Sequence, residues 1–376
     1  MDGHRPDIAT ADRIGVETGV SDISTTDARY RGYRAVELAE ICRFEEVAYL
    51  LLFGELPDPG QLEEFLALEK SRRGLSDALL ATMRKFSRKA HPMDTLKASV
   101  AFLAQEDPAA ADATPTGLST KTVRLLAKLP QAIAADHRLR SDAPLVLGDN
   151  TIGFAENLLA MMFGAVPAPQ VARAFDRTLT LYAEQAFDAP TAAARVVASS
   201  GADFYSAFLA ALGAAKGPLA AGGAERVSAM LDDAAQAEDV ADWLKMRLDH
   251  RRTVAGFAVA HGAPASDRVA AMSDVIDVAV GALDTDEARA VREIATRVTE
   301  IMAAETGRAP TLDFQIAVAW RIIGVPAPAF GPLLALARLP GWAAHIMEEH
   351  GGAAPIGLAA SYSGLEPRAV PALKER

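Results

Sequence analysis

Between Lys216 and Val227 the chain reads KGPLAAGGAERV. A lysine, a Gly-Pro step and a run of tiny residues suit a loop that lets another group come close to the backbone, yet no side chain in the run could do chemistry. The seven histidines are scattered, and neither an HExxH pattern nor a Cys/His cluster occurs, so no metal centre is expected. GPLAAGG follows a helical segment and lacks the GxGxxG spacing, which argues against dinucleotide binding. Cys42, the single cysteine, sits in ELAEICRFEEV and is read as a core thiol. With no intrachain partner it excludes a disulfide framework and points to a reducing compartment.

The balance of charge narrows the partners. Forty-nine acidic against 38 basic side chains leave a net charge of −11, which opposes attraction to nucleic acid or to an anionic membrane. The N-terminal MDGHRPDIATADR has no apolar signal region, and no uncharged stretch reaches the ~18 residues of a membrane span. A cytoplasmic protein that meets small molecules or other proteins is expected.

Whatever chemistry exists must be positioned by helices, because nearly every strong periodicity in the chain has the helical repeat. In RFEEVAYLLLFGELP, Phe44, Val47 and Leu51 make an apolar face that Gly54 ends. In DTDEARAVREIATRVTEIM, Asp284 and Glu287 have capping-box spacing ahead of Val291, Ile294, Val298 and Ile301 on one face. Further helices are read at 60–71, 75–86, 119–136, 154–163, 168–187, 203–213, 225–233, 238–249, 313–323 and 328–349. The fold class is all-α. Breaks are expected near 108–117, 217–224 and 261–266.

Taken in order, RYRGY (29–33), FEEVAYLLLFGELP (44–57), HPMD (91–94), LYAEQAFDAPTAAARVVAS (181–199), KGPLAAGG (216–223), Asp313-Phe314 and LARLPGWAAHIMEE (336–349) resemble the citrate synthases. The likeness is greatest to their 2-methylcitrate synthase branch. It implies an all-helical homodimer with a large domain from residues 1–219 and 313–376 and a small domain from 220–312. It also implies a cleft for oxaloacetate and an acyl-CoA.

The same resemblance assigns roles. Asp313 matches the base that takes a proton beside the thioester, and Arg268 and Arg338 match carboxylate clamps. Gln185 stands where a histidine touches the keto acid; it can donate a hydrogen bond but cannot carry a proton. Ala220 and Val259 match the two histidines that hold the enolising oxygen and the ketone. Gly357 matches an arginine sent into the neighbouring subunit. His261 lies two positions beyond Val259 and is a weaker catalytic candidate. Thr253 and Ala263 stand where basic residues meet CoA, so no cofactor is expected and acyl-CoA is disfavoured. His91 matches a structural position.

Loss of one oxyanion donor costs about 10²–10³ in rate. The expectation is therefore a chain that has lost citrate synthase chemistry and acts on another carboxylate-bearing small molecule, in specialised metabolism. Two alternatives stand beside it: a non-catalytic member that binds a ligand or a paralogue, and a divergent citrate or 2-methylcitrate synthase.

Overall fold

A computed structural model describes residues 17–24, 26–218, 222–250, 252–258, 266–352, 355–357 and 370. Its described residues form sixteen α-helices, with strands confined to five two-residue pieces. The first half contains α1 (Ala35–Ile41), α2 (Phe44–Phe53), α3 (Pro59–Ser71), α4 (Asp77–Met83), α5 (Pro92–Gln105), α6 (Pro115–Arg140), α7 (Phe154–Phe163) and α8 (Pro169–Leu181). The second contains α9 (Ala189–Ser199), α10 (Phe204–Ala215), α11 (Gly222–Ala235), α12 (Val240–Asp249), α13 (Asp267–Leu283), α14 (Asp286–Thr306), α15 (Leu312–Ile323) and α16 (Phe330–His350). The all-α reading holds. None of these helices is long and apolar enough to cross a membrane.

α16 is the axle of the fold. Every residue from Phe330 to Ile346 is buried, and the helix packs against α2, α5, α6, α8, α9, α10 and α11. A helix that is apolar on all sides has no stable place except inside. The two ionisable residues of that buried 330–346 stretch, Arg338 and His345, therefore need partners within the protein. α15 is also nearly all buried, with Trp320 against Phe175 of α8 and Phe330 of α16.

Several boundaries follow local chemistry that periodicity does not capture. Gly54 ends α2 in the left-handed conformation at φ +90°, as its position suggests. The helix read over 168–187 stops instead at Leu181, and a separate α9 begins at Ala189. Asp188 caps α9 by accepting from the Thr191 N–H at 3.0 Å, and Pro190 follows in its first turn, so DAPT is a start signal inside an unbroken apolar pattern. The cap expected at Asp284 is made by Thr285, while Asp284 closes α13 at φ +49°. α13 itself is an additional helix, capped by Ser266 and burying Met272, Val275, Ile276 and Ala279. The expected boundary at 313 falls in the first turn of α15.

Candidate active site

The break between α8 and α9 builds one wall of a cleft of about 310 Å³. Tyr182 ends α8, and Ala186 is forced to φ +48°, a left-handed conformation that costs a non-glycine residue about 1–2 kcal/mol. The turn places Tyr182, Gln185 and Asp188 along the cleft, opposite Asp313 from α15 and Arg338 from α16. Pro190, Leu312, Leu334, Ala335 and Trp342 supply its apolar surface. The sequence-derived candidates Asp313, Arg338 and Gln185 thus meet in one place.

Asp313 is held from two sides. The Tyr182 hydroxyl donates to its Oδ1 at 2.8 Å. A Cβ added to Gly223, in the first turn of α11, would collide with its Oδ2. Burial pushes the Asp313 carboxyl above its ordinary range, and the Tyr182 bond and the Arg226 charge only partly offset this. Burial and the Asp313 charge together hold the Tyr182 phenol well above its usual value, so it stays a donor. A desolvated carboxylate whose proton affinity is raised has the character of a general base.

The glycine run of KGPLAAGG is explained by this contact: it lets α11 start against the Asp313 carboxylate. Both ends of the run are fixed to the start of α5. Lys216, at the end of α10, donates to both Asp94 oxygens at 2.7 and 2.8 Å. His91 accepts from the Met93 N–H through Nδ1, which leaves Nε2 to donate to Glu225 Oε2 at 3.0 Å. His91 is thus structural, as expected. Leu219, Ala220 and Ala221 lie outside the described residues, as do Val259, His261 and Ala263.

The two arginines are already engaged. Arg338 is 2% exposed. It binds Asp188 with both ends of its fork, Nη1 to Oδ2 at 2.8 Å and Nη2 to Oδ1 at 3.1 Å, and donates to Thr191 Oγ1 at 2.8 Å. Arg268 lies beneath the cleft floor, where Nη1 donates to the Glu184 carbonyl at 2.8 Å and to Tyr30 Oη and the Leu181 carbonyl at 3.3 Å each. Its Nη2 donates to Gln185 Oε1 at 3.3 Å, which leaves the Gln185 amide N–H₂ as the donor on the other side. Arg268 therefore acts on the cleft through Gln185.

Behind this layer Glu184 is wholly buried, taking hydrogen bonds from Ser21 Oγ at 3.0 Å and from His345 Nε2 at 3.1 Å. Burial alone would raise its carboxyl, but the His345 bond and the Arg338 charge outweigh it and hold the group below its usual range. Gly357 is exposed with open space around it, and the preceding Ile356 N–H bonds Ser199 at the far end of α9 from the cleft. Asp188 was missed as a site residue. Its only sequence signal was the helix cap.

Comparison with known proteins adds the following. The family described as citrate synthase, C-terminal domain, matches residues 12–356. A 2-methylcitrate synthase 1 of Corynebacterium glutamicum is 36% identical, over 92% of this chain and 92% of its own. A 2-methylcitrate synthase of Mycobacterium tuberculosis is 34% identical, over 98% of this chain and 93% of its own. Among solved structures, a citrate synthase from Pyrobaculum aerophilum superimposes with a TM-score of 0.84 at 28% identity, covering 97% of this chain and 94% of that one. These end-to-end matches to synthases overturn the expectation that the chain has lost its family's chemistry and been turned to another reaction. The substitutions at Ala220 and Val259 were given too much weight in it.

Proposed function

The chain belongs to the citrate synthase family, and from that premise we propose that it is a condensing synthase of the citrate or 2-methylcitrate type. It joins the α-carbon of a small acyl-CoA to the keto carbon of a 2-oxo acid. The observation that carries the reading is Asp313: a half-buried carboxylate, raised in proton affinity and fixed by Tyr182, at the edge of a cleft large enough for a small keto acid. Asp313 takes the proton beside the thioester carbonyl, the enolate carbon attacks the keto carbon, and the keto oxygen, left as an alkoxide by the opened C=O π bond, takes up a proton from solvent. Water then cleaves the thioester and releases the CoA thiol. With alanine and valine at the two matched positions, the developing oxyanions take hydrogen bonds from the Gln185 amide and backbone N–H groups instead of imidazoles. Acyl-CoA, disfavoured by Thr253 and Ala263, returns as the donor. The working form is a homodimer.

Thiol release from acetyl-CoA and propionyl-CoA, measured across a panel of 2-oxo acids, tests the proposal. Turnover on the order of 10 s⁻¹ with at least one pair is expected. Absence of thiol release and of condensation product with every pair sinks the reading.

Tyr182→Phe tests the base itself. The reaction needs Asp313 ionised, so kcat/KM falls as pH drops through its pKa. The Tyr182 bond lowers that pKa, so its removal moves the acid limb of the profile to higher pH. An unmoved limb assigns the titration to another group.

A further inference from the structure

The cleft is built for an acceptor with less charge than a dicarboxylate. Around it stand three cations, Arg338, Arg268 and Arg226, and three carboxylates, Asp188, Glu184 and Asp313. With the base ionised, these six described groups sum to zero. More telling is how the one arginine that lines the cleft is used. Asp188 occupies both Nη groups of Arg338 in the fork-to-fork geometry a substrate carboxylate would need, and the Arg338 nitrogen without a partner among the described residues, Nε, is itself buried. Asp188 cannot turn away freely, because its Oδ1 also caps α9 through the Thr191 N–H and hydroxyl. Apart from Thr311, the rest of the described lining, with Pro190, Leu312, Leu334 and Ala335, is apolar and carries no further cation.

We infer that Asp188 sets acceptor specificity, standing in for one substrate carboxylate on Arg338 so that the cleft takes a 2-oxo acid with a single carboxylate and a short uncharged arm. That carboxylate meets the Gln185 amide, and the arm packs on the apolar surface. A dicarboxylate has either to displace a helix cap or to bring a second negative charge to a place where the described charges already balance.

This inference rests on the condensing-enzyme reading, but binding separates the two. Dissociation constants for pyruvate and for oxaloacetate are measured by calorimetry on the wild-type protein and on Asp188→Asn, with thiol release followed in parallel. Asparagine keeps an oxygen to cap α9 and removes the charge. The wild type is expected to bind pyruvate at least as tightly as oxaloacetate. Asp188→Asn is expected to bind oxaloacetate about 10- to 100-fold more tightly, the range of a charge-assisted hydrogen bond regained, with pyruvate changed much less. A wild-type preference for oxaloacetate of tenfold or more, an unchanged oxaloacetate affinity in the variant, or no binding of either acid to either protein overturns the inference. The expected binding pattern without thiol release from any acyl-CoA leaves it standing and removes the synthase reading instead.

Discussion

Asp313→Asn lowers kcat by about 10²–10⁴, the range for loss of a general base, and leaves acceptor binding nearly intact. Asparagine matches the shape of aspartate and still offers an oxygen to the Tyr182 hydroxyl, so the cleft keeps its form. The same variant is expected to change stability in a pH-dependent way, and the sign is fixed by burial. The folded-state pKa of Asp313 lies above its ordinary value of 3.8 because burial disfavours the charged form. The stability this linkage contributes is fully present below the unfolded pKa and is lost as pH rises through the folded one. Asparagine cannot ionise, so the variant escapes that loss. Its melting temperature relative to wild type should rise at pH 8 and show no such gain at pH 4. A kcat within tenfold of wild type, or a difference in melting temperature that is the same at both pH values, contradicts the assignment of Asp313 as a base with raised proton affinity.

Much of this arrangement was legible in the chain, and the part that was not has a physical cause. α2, α7 and α15 were placed closely because each couples an apolar face to a glycine that ends it. The 168–187 segment misled because AEQAFDAP continues the apolar periodicity through a turn that only its cap chemistry reveals, and the turn carries half of the site. Asp313, Arg338 and Gln185 were found through ordered resemblance, and the cleft unites them. Asp188 was invisible in that reading, since its partner Arg338 lies 150 residues away and no local pattern encodes the pair. The larger error was to infer lost function from two substituted histidines. Transition-state stabilisation belongs to whatever donors face the developing charge rather than to two named side chains, and the effects of residues acting as a unit do not add.

The glycines of the loop give the sharpest test of that view, because their role is purely spatial. Gly223 lies in the first turn of α11, where alanine is intrinsically the better helix former by about 1 kcal/mol. On propensity alone, Gly223→Ala should be neutral or stabilising. In this fold the new methyl would meet Asp313 Oδ2, a carboxylate that cannot swing aside without straining the Tyr182 bond. Either α11 retreats or the carboxylate moves, and displacement of a reacting group by about 1 Å costs on the order of 10²-fold in rate. The expected result is therefore a split: kcat down about 100-fold, acceptor affinity within a fewfold because Arg338 and Gln185 are untouched, and a melting temperature close to wild type. Gly222→Ala, one residue earlier, makes no contact with Asp313 and serves as the control for helix propensity; a Cβ there meets the Gly217 carbonyl at 3.1 Å. Equal kcat values for the two variants would mean that the run supplies flexibility rather than room, and the close approach of α11 would then have no part in holding the base.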